Sequence, residues 1–386
     1  MDTETTDMMF GILRSFFGGE VIENNDEVYT NSSDLSRIVE IAKKHDIASL
    51  LVMCLKQNNL FGQEHIHLED EVFLAIYRSE QMNYEFCILC NILECAGIDF
   101  IPLKGAVMRQ YYPESWMRTS CDIDILIREE NVNYIVDKLI SEKGYVFKGR
   151  GGHDVSLFSP AGVHIELHYN LLEVGIFENV HSILSNVWEM VVKRNDSNHW
   201  YEMTDEMFYF YHIAHMAKHF IYGGCGIRPF IDLWILDHMN GVDRAKRDEL
   251  LKQGNLLKFA ESARRLSNVW FGSEQHTETT KQMESFILSG GVYGSAENQV
   301  AVQQQKKGGK IKYAFSKIFI PYDVIKFHYP ILEKHKWLTP IMEVRRWCKL
   351  IFCGHLKRTV NELRYSGNIN DRQASAMRDF LKNIGL

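Results

Sequence analysis

The amino-acid sequence predicts an α+β fold, in which a small mixed β-sheet core is flanked by N-terminal and C-terminal helical regions. Two observations lead to this prediction. Short apolar runs rich in β-branched residues, separated by turn residues, are confined to residues 99–178. Residues 1–98 and 179–386 show helical patterns instead. At 386 residues, the chain is long enough for two or three domains of ordinary size.

The N-terminal region, residues 1–98, is predicted to be helical. Residues 69–96 form one long helix that ends near Gly97, a residue type that commonly terminates helices. The first residues, "MDTETTDMMFGILRSFF", are acidic and lack the basic segment and long apolar stretch of a signal peptide. The eight cysteines are scattered, and nothing points to secretion, so a cytoplasmic location is expected.

The core, residues 99–178, contains five short predicted strands at "DFIPLKG", "CDIDILI", "GYVFKG", "DVSLFS" and "VHIELHY". A helix, "ENVNYIVDKLISEKG", separates the second strand from the third and ends at Gly144. The C-terminal region, residues 179–386, is helical again. Near residues 289–310 it is rich in glycine and glutamine, which predicts a flexible loop.

Charge is distributed unevenly along the chain. The net charge is −7, but residues 301–386 carry 17 lysines and arginines against 6 acidic residues. This basic segment could meet nucleic acid, an anionic membrane surface or the acidic remainder of the chain. The last alternative, or a solvated face, is the simpler explanation, so a nucleic-acid partner is possible but not favoured. No run reaches about 18 apolar residues, and no membrane span is expected.

Two aspartates, Asp122 and Asp124, interrupt the apolar run of the second strand. Residues two apart on a strand share a face, so both carboxylates should leave the sheet side by side. Glu166 interrupts the fifth strand in the same manner, and adjacent strands would bring the three carboxylates together. Such a cluster needs cations, and carboxylate oxygens suit Mg²⁺ or Mn²⁺. The pattern therefore predicts a metal site able to support phosphoryl transfer.

The stretch "IPLKGAVMRQYY" predicts a strand, a turn at Lys104 and Gly105, and then a helix. A glycine at such a turn lets the backbone approach a ligand, and a helix N-terminus favours phosphate. Lys104 would add a positive charge, and Arg118 follows shortly before the two aspartates. The order of these residues predicts a phosphate-binding turn beside the metal site.

In these residues the chain resembles nucleotidyltransferases of the polymerase-β superfamily, which have a strand, a phosphate-binding turn, a helix and then Asp-x-Asp on the next strand. The usual Gly-Ser turn is replaced here by Leu103-Lys104-Gly105. With this turn the chain is similar to a less characterised bacterial branch of the superfamily, whose proteins show "LKG", an arginine, "DIDILI" and "ELH". The resemblance covers roughly residues 80–240.

The resemblance implies a role for Lys218, and their positions in the sequence suggest roles for two histidines. The downstream helical segment "YHIAHMAKHF" carries Lys218, which would reach the triphosphate as a basic residue of the helical domain does elsewhere in the superfamily. His215 lies on the same segment and is expected near the site as a supporting residue or in the core. His168, two residues after Glu166, would orient that carboxylate, help to deprotonate the acceptor, or pack as a core histidine.

Together these residues predict an Mg²⁺-dependent (or Mn²⁺-dependent) nucleotidyltransferase that moves NMP from an NTP such as ATP to a hydroxyl acceptor. Asp122, Asp124 and Glu166 would hold the metal, and Lys104, Gly105, Arg118 and Lys218 would meet the nucleotide. The acceptor could be a small molecule, a sugar, a protein or an RNA end. Two alternatives are a toxin-like enzyme that modifies protein or tRNA and a nucleotide-binding regulatory module without turnover.

Overall fold

The computed structural model describes residues 3–18, 32–172, 177–320, 322, 325–326, 329, 331–352, 356–369 and 371–386. The chain divides into two compact units: the first comprises Met1–Ala217 and Gly226–Glu284, and the second Lys218–Cys225 and Ser285–Leu386. The predicted α+β fold is confirmed, with a small mixed sheet and flanking helices. The predicted three-part division at residues 98 and 178 stays a prediction.

The N-terminal region is helical. Its helices are α1 (Thr3–Gly18), α2 (Ser32–Lys44), α3 (Ala48–Gln57) and α4 (Glu69–Cys95). The predicted long helix is thus α4, which opens with acidic residues that complement the positive end of the helix dipole. Gly97 follows it with a left-handed φ of 68°, which explains why the helix ends there.

The central sheet has five strands, all of them predicted: β1 (Phe100–Pro102), β2 (Asp122–Ile127), β3 (Val146–Arg150), β4 (Asp154–Phe158) and β5 (His164–His168). Between them lie α5 (Lys104–Met108) and α6 (Val132–Lys143). The strand order is β1-β2-β5-β4-β3. Only the β2–β5 pair is parallel among the described strands, so the sheet is mixed. That pair brings together two strands that are distant in sequence.

One face of this sheet forms the hydrophobic core. Ile123, Ile125 and Leu167 are buried there in one cluster with Leu89 of α4 and Leu139 of α6. Because strand residues alternate between faces, the residues between these apolar ones point to the other side. Those intervening positions carry the predicted carboxylates.

The rest of the first unit is mainly helical. Its elements are α7 (Glu178–Ser185), β6 (Val191–Lys193), β7 (Tyr201–Met203), α8 (Asp205–Ile221, which continues into the second unit), α9 (Arg228–Asp237), α10 (Arg244–Gln253), α11 (Leu257–Phe271) and the start of α12 (Glu278–Leu288). The hairpin of β6 and β7 was not predicted, because strands of three residues carry little periodicity. Helix α1 packs on α11, where the Phe10 and Trp270 rings stack at 4.3 Å.

The second unit contains α13 (Ala296–Lys306), α14 (Lys310–Ile318), α15 (Ile331–Lys334), α16 (Thr339–Phe352), α17 (Leu356–Asn368) and α18 (Asp371–Ile384). A flexible loop was predicted near residues 289–310, and this is wrong for Ala296–Lys306, which form helix α13. Ser295 caps that helix by accepting a hydrogen bond from the Asn298 N–H at 3.0 Å. Among the described helices, none combines the length and apolar character needed to cross a membrane.

Candidate functional site

The two aspartates of β2 lie on the sheet face opposite the core. Ile123 and Ile125 are buried in the core, so the strand period directs Asp122 and Asp124 the other way. Strand β5 runs parallel to β2 and places Glu166 directly beside Asp124 in the register. The structure therefore brings together the three carboxylates that the sequence singled out.

Asp124 is the buried centre of this cluster. Its side chain is 2% exposed, and Lys104 Nζ donates to its Oδ1 at 2.8 Å. His168 Nε2 lies 2.8 Å from the same oxygen and 3.4 Å from Glu166 Oε2. Because ionised carboxylates only accept hydrogen bonds, Nε2 carries the proton here. The Leu103 N–H donates to the Asp124 carbonyl at 3.0 Å and ties the turn to the strand.

These contacts separate the pKa values of the three carboxyl groups. Burial raises the pKa of Asp124, but the charge of Lys104 and the hydrogen bond from His168 outweigh it and hold that pKa below its ordinary value. The hydrogen bond from His168 also lowers the pKa of Glu166. Burial and the neighbouring charge of Asp124 raise the pKa of Asp122. A cation added to the site would thus offset the repulsion on Asp122 more than that on the other two carboxylates.

The site offers two groups of potential metal ligands that share one residue. Asp122, His164 and Glu166 form the first, and Asp124, Glu166 and His168 form the second. Within each group, the ligand atoms lie within 4.8 Å of one another. Each group combines two carboxylates with one imidazole. Carboxylates suit Mg²⁺ and Mn²⁺, and imidazole suits transition metals, so the donor set fits a divalent cation.

The turn between β1 and α5 has its unusual backbone conformation at the lysine. The left-handed backbone belongs to Lys104, at φ 44°, whereas Gly105 has no positive φ. At Gly105 an added Cβ would lie 3.0 Å from Ser120 Oγ and 3.3 Å from Arg118 Nη1, and the predicted approach to a ligand stays a prediction. The glycine lets the turn pack closely against the segment that leads into β2. Ser120 Oγ in turn donates to the Asp122 carboxylate at 3.2 Å.

Arg118 is held by a carboxylate of the protein. Its Nη2 and Nε donate to the two carboxylate oxygens of Asp232 on α9, at 2.8 and 3.2 Å, and both side chains are buried. Burial lowers the pKa of Arg118, and the charge of Asp232 more than restores it. The neighbouring Arg228 has a different partner, since its Nη1 donates to Asp46 Oδ2 at 2.7 Å. Geometry thus gives Arg118 a positioning role, and its predicted phosphate contact stays a prediction.

The histidines of α8 have separate surroundings. The His212 Nε2–H donates to the Pro229 carbonyl at 2.9 Å, which is a structural contact. The ring of His215 lies 6.1 Å from that of Tyr211. Lys218 belongs to the second unit, whereas the carboxylates belong to the first. The predicted roles of His215 and Lys218 at the site stay predictions.

Sequence reasoning missed two residues of this site. His164 lies beside Asp122 in the register, and its Nε2 is 2.6 Å from Ser156 Oγ. A signal for it existed, because His164 precedes Glu166 by two residues on the same strand face. Tyr211 of α8 is buried, and its hydroxyl has no hydrogen-bond partner among the described residues. Burial raises its pKa, and the charge of Lys104 opposes that rise. No sequence pattern indicates Tyr211.

The segment that contains all these carboxylates also matches a known family. Residues 31–272 match the family described as "Uncharacterised nucleotidyltransferase". The chain belongs to this family. The match covers the central sheet, the Lys104 turn and the helices that follow, and it confirms the suspected nucleotidyltransferase relationship. No curated protein and no solved structure shows a significant match to this nucleotidyltransferase-family chain.

Proposed function

We propose that the protein is an Mg²⁺- or Mn²⁺-dependent nucleotidyltransferase that moves NMP from an NTP to a hydroxyl acceptor. The observation that carries this proposal is the meeting of Asp122, Asp124 and Glu166 on the parallel strands β2 and β5. Membership of a nucleotidyltransferase family supports it. The identity of the metal, the nucleotide and the acceptor belongs to the proposal.

The metal would be held by the carboxylates of the two ligand groups. Lys104 is hydrogen-bonded to Asp124, and its single positive charge does not balance the three carboxylates. The cluster therefore keeps an excess of negative charge. A divalent cation bound there would offset this charge and polarise the phosphoryl oxygens of the nucleotide. The imidazole of His164 makes Mn²⁺ as suitable as Mg²⁺.

The residues of the chain would divide the work of the transfer. Lys104 would meet phosphate charge and fix Asp124, and His168 would hold Asp124 and Glu166 in place. The acceptor oxygen would form a bond to the α-phosphorus while the bond from that phosphorus to the bridging oxygen breaks. Pyrophosphate would leave, and the acceptor proton would pass to Glu166, which is half-buried and close to the site surface.

A nucleotide-binding module without turnover is the second candidate function. The observation in its favour is that Lys104 occupies the Asp124 carboxylate, which a metal would also use. The two candidates predict the same binding of nucleotide and metal. They differ in whether the NMP group of the nucleotide is ever transferred to an acceptor.

The deciding experiment incubates pure protein with each α-labelled NTP and Mg²⁺ or Mn²⁺, with and without cell extract. Transfer predicts label on an acceptor, whose size separates a small molecule from a protein or tRNA. Asp124→Asn should abolish the labelling. Asp137→Asn is the matched control, because Asp137 is exposed on α6 and outside both ligand groups. Binding of nucleotide without transfer in every extract would favour the module.

A further inference from the structure

A cavity of about 310 Å³ lies in the first unit, next to the segment that leads into β2. It is bounded by the turn after α2, by α4 and by the residues that follow α5. The polar and aromatic residues of its wall include Lys43, Ser49, Arg78, Ser79, Arg109 and Trp116. We name it the Arg109 cavity.

Arg109 is a buried cation in the wall of this cavity. It is 6% exposed, and its guanidinium donates to Met82 Sδ at 3.3 Å, a weak acceptor. No described carboxylate lies within ion-pair distance of it. Burial and the charge of Arg118 lower the pKa of Arg109 to about 10. A buried charge with no opposite partner is costly, so the position calls for an anion that comes from outside the chain.

Two buried hydroxyls of the same wall also lack partners. Ser49 Oγ and Ser79 Oγ make no hydrogen bond among the described residues, although buried polar atoms usually do. Ser49 is 3% exposed and Ser79 is 6% exposed, so neither hydroxyl is simply at the surface. Together with Arg109, these hydroxyls give the cavity three groups that could each donate to one ligand.

The other charges of the wall are largely matched. Lys43 pairs with Glu71 at 2.7 Å. Asp46 forms an ion pair with Arg228, and Arg118 forms one with Asp232. Within the part of the chain that the structure describes, Arg78 forms no ion pair. The positive charge left over in the cavity therefore belongs to two arginines, Arg78 and Arg109.

The Arg109 cavity adjoins the candidate active site, and the charges of Asp122 and Asp124 act on Arg109. Ser120 and Cys121 form part of its wall, and Ser120 Oγ donates to the Asp122 carbonyl at 2.9 Å and to its carboxylate. Arg109 contacts Met82, which packs in the core on the α4 side of the sheet. Lys104 instead reaches Asp124 on the carboxylate side. Arg109 and Lys104 thus make separate direct contacts, which allows each of them to bind its own anion.

We propose that the Arg109 cavity binds a phosphate group carried by the acceptor, so that the acceptor is a small phosphorylated molecule. Two guanidinium groups and two hydroxyls offer more donors than the two oxygens of a carboxylate can accept, and guanidinium groups match phosphate geometry. Trp116 and Met82 supply apolar wall for the rest of the molecule. The identity of the ligand as acceptor rests on the proposed function, whereas binding of phosphate at Arg109 does not.

The first test uses inorganic phosphate as the probe, in EDTA so that no metal takes part. Phosphate should raise the melting temperature of the parent protein. Arg109→Met should weaken the apparent phosphate affinity by about tenfold or more, because hydrogen bonds to charged groups commonly contribute that much. Lys104→Gln should keep the response. A parent-like response in Arg109→Met, or its loss in Lys104→Gln, would overturn the site.

Stability without phosphate separates a ligand-binding arginine from a structural one. Arg109→Met removes a buried charge that pairs with no carboxylate in the described part of the chain, so its phosphate-free melting temperature should equal or exceed that of the parent. A clear drop would show that the protein itself satisfies Arg109, which contradicts the proposal. If Arg109→Met does not fold, Arg78→Gln, on an exposed side chain, must weaken the phosphate response instead.

The second test separates the acceptor's phosphate from the triphosphate of the nucleotide. The phosphate titration is repeated with Mn²⁺ and a saturating non-hydrolysable NTP analogue. A retained phosphate response supports an acceptor site, and displacement by the analogue would overturn that assignment. Asp124→Asn should lose the response to the analogue and keep the metal-free response to phosphate. A failure of the proposed nucleotide site is thereby distinguished from a failure of the Arg109 cavity.

Discussion

Lys104 Nζ lies 2.8 Å from Asp124 Oδ1, so the lysine of the predicted phosphate turn is bonded to an aspartate of the predicted metal site. The contact joins the two halves of the candidate site across the β1–β2 pair. It also gives Asp124 a stabilising role in the metal-free protein, because the lysine offsets the repulsion among three carboxylates. Binding and stability are therefore linked at this residue.

The first prediction follows from that link. Asp124→Asn should remove the stabilisation by Mn²⁺ and NTP, which for the parent amounts to about 2.7 kcal/mol at 100-fold excess over Kd. The metal-free variant should also lose about 1–3 kcal/mol of unfolding free energy, since Lys104 and His168 lose a charged partner. Urea unfolding with and without ligand measures both. A ligand response equal to that of the parent would remove Asp124 from the site.

The second prediction concerns the buried pair of Arg118 and Asp232. Asp232→Asn leaves a buried guanidinium without its charge partner and should lower the unfolding free energy by about 3–5 kcal/mol. The double variant Arg118→Met/Asp232→Leu should lose much less. Urea unfolding of the parent, Arg118→Met, Asp232→Leu and the double variant gives the coupling energy. A weak coupling together with a loss of NTP affinity in Arg118→Met would return Arg118 to the phosphate site.

The pH dependence of this pair has a definite sign. Burial raises the pKa of Asp232, but the charge of Arg118 outweighs it and holds that pKa below its ordinary value. A depressed folded-state pKa gives stability that is present above the unfolded value of about 3.9 and is lost as the pH falls through the folded value. The difference in unfolding free energy between the parent and Asp232→Asn should therefore shrink in acid. A difference that grows in acid would contradict the pairing.

The third prediction concerns the close contact at Gly105. An added Cβ would lie 3.0 Å from Ser120 Oγ, so Gly105→Ala should push Ser120 away from Asp122. We expect a loss of about 1–3 kcal/mol of unfolding free energy and weaker binding of metal with NTP. Calorimetry measures the affinity. Gly152→Ala is the matched control, because a Cβ at Gly152 meets nothing within 4 Å.

The fourth prediction concerns metal preference at His164. If a ring nitrogen of His164 binds metal beside Asp122 and Glu166, His164→Asn should weaken the binding of Mn²⁺ more than the binding of Mg²⁺. The reason is that imidazole suits transition metals, whereas Mg²⁺ prefers oxygen ligands. Melting temperatures with each metal and a non-hydrolysable NTP analogue provide the comparison. Ser156→Ala removes the hydrogen-bond partner of His164 Nε2. It should also weaken Mn²⁺ binding more than Mg²⁺ binding, but by a smaller factor. Equal losses for both metals would exclude His164 as a ligand.

Local patterns made the sheet and its carboxylates predictable. The period of two in β2 and β5 placed Asp122, Asp124 and Glu166 on one face, and the parallel pairing then put them together. Contacts that the site residues make outside this pair of strands were not predictable. Nothing near Arg118 indicates Asp232, which comes from α9, and the reason for Gly105 is a contact with Ser120. Such contacts depend on tertiary packing, which leaves no local period in the sequence.

The last prediction separates the chemistry of Glu166 from its binding. Glu166 belongs to both ligand groups, and His168 Nε2 lies 3.4 Å from its Oε2, which helps to keep it ionised and able to accept a proton. Glu166→Gln keeps the shape and removes the charge, so NTP affinity should fall modestly, because Asp122 and Asp124 remain. Turnover should fall by roughly 10²–10⁴-fold, the range typical of lost general-base help.

The measurement for Glu166 is paired: NTP affinity by calorimetry, and NMP transfer to the acceptor found by labelling. Asp137→Asn on the exposed face of α6 again serves as the control and should leave both quantities unchanged. If Glu166→Gln transfers NMP at the parent rate, Glu166 is not the base. Asp154 would then be tested, since it lies on β4 directly beside His168 in the register and faces the same side of the sheet.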